Sequence, residues 1–338
     1  MAANIIQDRL SRPMRDLRIS VTDRCNFRCA YCMPKDIFGD DYAFLPKESL
    51  LSWDEIARLA GLYAKLGVRK IRLTGGEPLM RRGLPDLIRM LKGIPGIEDI
   101  GCTTNGLLLG KQAQSLYDAG LRRLNVSLDA LDPELFGAMN GRGIQPAIIL
   151  RHIEQAREIG FQVKVNMVVQ KGVNDREIVP MAGYCKSEGI TLRFIEFMDV
   201  GNENGWNLGR VVTKREIFER LGGDATLQPV CPDHPGEVAQ RYRYTDGRAE
   251  VGFISSVSEA FCSACSRVRL SSDGNMYACL FASAGFDLRA LLRAGASDDE
   301  LLEAIISVWE KREDRYSEER TEHMASHRKK IGMSYIGG

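Results

Sequence analysis

The sequence predicts an α/β fold, a partial (β/α)6 barrel followed by a smaller α+β domain. Two observations predict the barrel. Between residues 17 and 198, short runs rich in branched residues alternate with longer stretches of helical period. That alternation implies parallel strands joined by right-handed crossovers. The units number six, two short of a closed eight-fold barrel, so the barrel stays open. A third observation predicts the second domain. After Met198 the texture turns to Gly, Pro and Asn, and the long periodic runs stop until the C-terminal third. We divide the chain at 1–200 and 201–338.

The strand-like runs are 17–22, 70–74, 97–103, 122–128, 162–169 and 191–198. The helix after the first run opens at Ser52 with Glu55 three residues on, a capping box. Asp132 followed by Pro133 opens another. Further helices fit 84–92, 111–119, 147–160 and 176–188. Beyond the barrel, a short helix fits 214–221, and strands fit 241–254 and 267–280. The second pair turns at Ser272-Asp273-Gly274-Asn275, a hairpin signal. Helices follow at 287–294 and 298–312.

Composition excludes several classes. The 338 residues are 44% apolar and 27% charged with net charge +1, so no global field draws nucleic acid or anionic lipid. No apolar run approaches a membrane span, and the charged N-terminus lacks the apolar stretch of a signal peptide. The expected location is the cytoplasm, where thiols stay reduced. Nine cysteines there point to metal rather than to disulfides. Cys102, Cys185 and Cys231 are scattered and read as ordinary thiols.

The other six form two triads. Cys25-x3-Cys29-x2-Cys32 follows the first strand, where parallel α/β folds place their ligands. Zinc would want a fourth ligand, and the nearest histidine is His152. Three thiolates fit an iron–sulfur cluster with one iron left open. The second strand ends in Thr74-Gly75-Gly76-Glu77-Pro78, where glycines allow close approach of backbone to a ligand. Cys262-x2-Cys265 with Cys279 forms the second triad; its spacing alone fits zinc and iron–sulfur equally. Arg267 and Arg269 follow at once and share a face on a strand, a fork for carboxylate or phosphate.

The barrel strands are also too polar for a sheet buried on both faces. Arg18, Lys70, Arg72, Thr103, Thr104, Asn105, Asn125, Ser127, Lys164, Asn166 and Arg193 interrupt them. Buried cations need a negative partner. Structural carboxylates would serve, with Glu196 a candidate; a triphosphate would serve better.

These residues carry a resemblance. Cys25, Cys29 and Cys32 with Tyr31, and the GGEP run, resemble the radical S-adenosylmethionine (SAM) superfamily. The second triad, its RVR and the terminal Gly337-Gly338 narrow this to the molybdenum cofactor biosynthesis protein A family, along with LRISVTDRCNFRCAYCMP, RLTGGEPLMR, TTNG and NVSLDAL. The resemblance covers essentially the whole chain. It implies a TIM-like partial barrel and a C-terminal domain with a second Fe–S cluster, two [4Fe–4S] clusters in all. It implies a lyase that uses SAM and an external electron donor to convert GTP to 3′,8-cyclo-7,8-dihydro-GTP. The product would pass to a cyclic pyranopterin monophosphate synthase. Tyr31, Gly76, Ser127 and Met198 match SAM-contacting positions. Arg18, Arg72, Thr103, Lys164, Arg267, Val268 and Arg269 match GTP contacts, with Lys70 and Arg193 near them. Arg267, Arg269, Gly337 and Gly338 would assist the cyclisation. Oligomeric state is open, a homodimer included.

Two motifs are set aside. Gly106-x3-Gly110-Lys111-Gln112 is one residue short of a phosphate loop and lacks its Ser or Thr. His323 and His327 share a helical face without a third ligand.

Overall fold

A computed structural model describes residues 6–233 and 236–337. One sheet of twelve strands runs through them. In chain order these are β1 Asp16–Ser20, β2 Lys70–Thr74, β3 Asp99–Thr104, β4 Arg123–Ser127, β5 Gln162–Val169 and β6 Thr191–Glu196. There follow β7 Leu227–Pro229, β8 Gln240–Tyr244, β9 Glu250–Ile254, β10 Arg267–Leu270, β11 Asn275–Tyr277 and β12 Phe286–Asp287. The first six pair in sequence order, all parallel, as the βα alternation requires. The strands beyond residue 200 do not form a sheet of their own. β9 joins β6 and β10 joins β1, both parallel, so eight parallel strands lie side by side. β8 and β7 continue one edge, and β11 and β12 the other, antiparallel.

Local signals fix the helices. Ser52 accepts from the Glu55 N–H and Glu55 from that of Ser52, starting the helix Trp53–Lys65. Asp132 caps Pro133–Asn140, and Gly141, at φ 62°, ends it. A capping box at Ser297 and Glu300 opens Asp298–Glu310. The helices cover one face of the sheet. Leu17, Ile19, Ile71, Leu73, Leu124, Val126, Val165, Met167, Leu192 and Phe194 point to them and are 0–1% exposed.

The alternate residues face the barrel interior, and register stacks their charges. Arg269, Arg18 and Arg72 stand in one row across β10, β1 and β2, with Gly101 next on β3. Two residues earlier along each strand, Arg267, Asp16, Lys70 and Asp99 make a row of alternating sign. Gly101 holds its place because a Cβ there would press on the Arg72 side chain at 3.2–3.4 Å. That room lets Arg72 cross β3 to its ion pair with Asp99, which also takes Arg123 at 3.2 Å.

Glu196 does not serve the interior cations. It follows the inward Arg193 and Ile195 in the opposite parity and turns away from them. Its carboxylate accepts from the N–H groups of Lys214, Val257 and Ser258, each at 2.8 Å, and from the Ser258 hydroxyl. It thus ties two loops to the end of β6. Glu196→Gln sets an amide N–H₂ against these donors and should cost roughly 2–4 kcal/mol. A urea midpoint lowered at unchanged slope would show this; an unchanged midpoint would mean the loops hold without it.

Candidate functional site

The first triad lies in the loop after β1. Its turn is closed by the N–H groups of Cys32 and Met33 donating to the Cys29 carbonyl at 3.0 and 2.8 Å. Arg28 holds the loop by donating to the carbonyls of Cys25, Phe27 and Phe38 at 2.6–2.8 Å. The glycines after β2 serve the same loop. The Gly76 N–H donates to Thr22 O at 2.7 Å, and the Glu77 N–H to Arg24 O at 2.8 Å. A Cβ on Gly75 or Gly76 would strike those carbonyls. Glu77 then accepts from the Leu79 N–H, the Thr104 hydroxyl and the Asn105 N–H. Burial raises its pKa to about 7. Tyr31 donates to Asp129 at 2.8 Å, just beyond β4, and burial raises Asp129 to about 6.

The second triad hangs from the start of β10 and the end of β11. Cys262 and Cys265 are linked by a main-chain hydrogen bond of 3.1 Å. The Arg267 Nε donates to Cys265 Sγ at 3.3 Å. Burial would raise the Cys265 thiol, but Arg267 and Arg312 overcome it and hold it at about 6. Burial lifts Cys25 and Cys279 to about 11, Cys32 to about 12 and Cys29 well up.

All six cysteines line one cavity of about 300 Å³. Tyr31, Gly76, Ser127 and Met198 line it, as do Arg18, Arg72, Thr103, Arg193, Arg267 and Arg269. So do Arg312, Asp129, Asn125 and Asn166. Six arginines thus face three acids, Glu77, Asp129 and Asp314. The arginines strain against each other. Burial, with Arg267 and Arg72 adding, lowers Arg18 to about 10; burial, with Arg72 and Arg18, does the same to Arg193. Burial, then Arg18 and Arg267, pushes Arg269 well down. The Arg18 Nε and Asn166 Oδ1 are buried with no hydrogen-bond partner among the described residues. A polyanion with hydroxyl groups fits such a chamber.

Three sequence-named residues stand off the cavity wall. Val268 alternates to the helix-covered face and is fully buried in the core, so only its main chain can serve a ligand. Lys70 lies two residues before Arg72 and Lys164 two before Asn166, each about 7 Å deeper in the barrel. The tail does reach the site. Tyr335 donates to Asp273, Lys330 donates to Asp199 at 2.9 Å, and Arg269 donates to the Gly337 carbonyl beside Thr74. Gly338 lies outside the described residues. Asp129 and Arg312 escaped the sequence reading. Asp129 sits in the NVSLDAL run directly after a strand, a signal that could have found it; Arg312 has no local signal.

Donor chemistry tests what the triads can hold. In the first triad three thiols with raised pKa stay protonated unless a cation replaces the protons; in the second, Cys265 is already held low by its arginines. Soft thiolates select iron–sulfur or zinc. Three thiolates without a fourth protein ligand leave one position of the bound group open.

Comparison with known proteins agrees with this geometry. Residues 19–185 match the family model of the radical SAM superfamily, and residues 190–318 that of Molybdenum Cofactor Synthesis C. A GTP 3′,8-cyclase of Staphylococcus haemolyticus (strain JCSC1435) is 58% identical over 336 residues, 98% of this chain and 99% of the relative. One from Staphylococcus aureus (strain MRSA252) matches to the same extent. The chain belongs to the GTP 3′,8-cyclase family of radical SAM enzymes. Outside the family, the solved structure of Streptococcus suis SuiB bound to S-adenosylmethionine shares the fold at 16% identity and a TM-score of 0.60, over 90% of this chain and 69% of that one. SuiB bound to its precursor peptide SuiA gives 0.61, over 94% and 67%. No helix among the described residues is long and apolar enough to cross a membrane.

Lys164 offers a titration. Burial, with Arg193 and Arg241, lowers it to about 8. Below that pH the free protein already carries the proton; above it, an anion seated beside Lys164 must bring one in. Tripolyphosphate affinity, taken relative to Lys164→Met, should be flat below pH 7 and weaken by up to about tenfold per unit above 8. A ratio constant to pH 9 would mean that no bound anion reaches Lys164.

Proposed function

We propose that this chain is a GTP 3′,8-cyclase, a radical lyase that opens molybdenum cofactor synthesis. The observation that carries the reading is the meeting of both triads in one arginine-rich cavity. Superfamily membership brings SAM and a [4Fe–4S] cluster, with Cys25, Cys29 and Cys32 as its ligands. Bound there, the cluster supplies the electron that splits SAM to a 5′-deoxyadenosyl radical. Tyr31, Gly76, Ser127 and Met198 would hold SAM against it. A second [4Fe–4S] cluster would rest on Cys262, Cys265 and Cys279, where Arg267 and Arg312 favour the Cys265 thiolate.

GTP would lie between the triads. Arg18, Arg72 and Arg269 stand in one row and would take the triphosphate, with Thr103 and Arg193 beside them and Lys70 and Lys164 deeper. Arg267 and the Val268 main chain would meet the nucleoside. SAM, once split, would supply the radical that removes the C3′ hydrogen of GTP; bonding of C3′ to C8 of guanine, with one electron from the external donor and one proton, would complete 3′,8-cyclo-7,8-dihydro-GTP. Enclosure keeps water from these radicals. Arg267, Arg269, Gly337 and Gly338 would steady the substrate through the cyclisation, the tail already touching Arg269. An external donor supplies electrons, a cyclic pyranopterin monophosphate synthase consumes the product, and the setting would be cytoplasmic. A homodimer is compatible with this site, which is built from one chain.

The direct test is anaerobic turnover with SAM, reductant and each nucleoside triphosphate. Deoxyadenosine should form with GTP far faster than with ATP, CTP or UTP; formation indifferent to nucleotide contradicts a GTP cyclase. Cys279→Ser should keep SAM binding and lose cyclisation. Full cyclisation by that variant would remove the second triad from the reaction.

A further inference from the structure

Behind the second triad, the N-terminal segment and the end of the helix Asp298–Glu310 bring three charges into the interior. The side chains of Asp8, Arg12 and Arg312 are 0%, 2% and 2% exposed. A tight turn presents them. Asp8 Oδ1 accepts from the N–H groups of Leu10 and Arg12, and Ser11 adopts φ 60°. The other oxygen, Oδ2, takes Arg12 Nε at 2.6 Å and Arg312 Nη1 at 3.1 Å. One carboxylate between two guanidiniums leaves one positive charge in excess. Nearer the triad, Arg267 donates to Cys265 Sγ at 3.3 Å and Asp314 acts on Cys279, two charges of opposite sign beside the sulfurs themselves.

Both guanidiniums also donate to the main chain of the triad. Arg12 Nη1 donates to the Cys262 carbonyl at 2.8 Å and to that of Asp314 at 2.9 Å. Arg312 Nη1 donates to the Cys265 carbonyl at 2.8 Å. Arg12 Nη2 and Arg312 Nε are buried without a hydrogen-bond partner among the described residues. Trp309 packs against the pair, its indole N–H on the Arg12 carbonyl at 3.2 Å and its ring 4.6 Å from the Arg312 guanidinium. A buried excess charge is costly unless something of opposite sign lies beside it. An oxidised four-iron core has two positive charges and three thiolates bring three negative ones, so the ligated cluster carries one negative charge in excess. The two excesses are opposite in sign.

We infer that Asp8, Arg12 and Arg312 are positioning residues for the second cluster: the arginines fix the carbonyls of Cys262 and Cys265, and the net charge of the three sets the cluster's reduction potential. This rests on the reading that Cys262, Cys265 and Cys279 hold a [4Fe–4S] cluster. Reduction adds an electron, so nearby positive charge favours the reduced form. Asp8→Asn removes a negative charge and raises the potential. Arg312→Gln removes a positive one and lowers it. Arg312→Lys keeps the charge and stays near the wild-type value. Damage to packing alone has no reason to move two variants in opposite directions.

The test is a reductive titration of the full-length, anaerobically reconstituted enzyme, following the paramagnetic signals of both reduced clusters. Added SAM identifies the first-triad signal, because SAM takes that cluster's open iron. The second signal should move up in Asp8→Asn and down in Arg312→Gln, with the first unmoved. Between the two variants, the reduced-to-oxidised ratio at fixed potential should differ at least about tenfold, about 59 mV for a one-electron couple. Shifts of one sign, or none, with the second signal intact overturn the inference and leave the cluster assignment standing. If Arg312→Gln loses its iron, Asp8→Asn decides: an upward shift supports the inference and any other result overturns it. Wild-type enzyme with iron for one cluster only overturns the assignment and the inference together.

Discussion

Positive charge without water is the constraint that organises this protein. Six arginines face one cavity with three acids among its walls. A guanidinium taken from water costs several kcal/mol unless its donors and its charge are met. The protein meets part of that need itself. Asp99 takes Arg72 and Arg123, Asn125 takes Arg193 at 2.9 Å, and the tail carbonyl of Gly337 takes Arg269. The rest is left for ligands. Burial, with their arginine neighbours adding, depresses Arg18 and Arg269, and Asp16 on the next row offsets only part of it for Arg18. The site is preorganised for a highly charged anion, at the expense of stability when that anion is absent.

The sheet makes the arrangement possible. Arg18 and Arg72 come from early strands and Arg269 from a late one, yet they share a row because β10 pairs with β1 in parallel. The same pairing sets the second triad at the start of β10, at the end of the barrel opposite the first triad, which follows the end of β1. β9 does the equivalent on the far edge by extending β6. Chain segments 250 residues apart thereby become neighbours, and the two clusters' ligands open on one chamber. Glu196, Asp199 and Asp273 then act as fixed points to which loops and tail are tied.

Much of this was legible in the sequence, for physical reasons. Strand periodicity located all six barrel strands, and polar residues of one parity marked the interior face. Parity also explains two placements. Val268 lies between two inward arginines, so its side chain had to face the helices; Glu196 follows Ile195 in the same way. What the sequence hid was partnership. A strand's pattern does not name its neighbour, so the places of β9 and β10 on the two edges were invisible. Asp8, Arg12 and Arg312 were invisible too, because a buried charge shared across 300 residues leaves no local pattern. The GGEP glycines were read as making room for a ligand; they also make room for the loop that carries the first triad.

The central claim is that the arginine row and the second triad together hold one GTP molecule. An anaerobic crystal structure with GTP tests it most directly. The account requires triphosphate oxygens within hydrogen-bonding distance of Arg18 and Arg72 and the purine directed at Cys262, Cys265 and Cys279. A triphosphate outside the barrel, or a purine facing Cys25, Cys29 and Cys32, would contradict it.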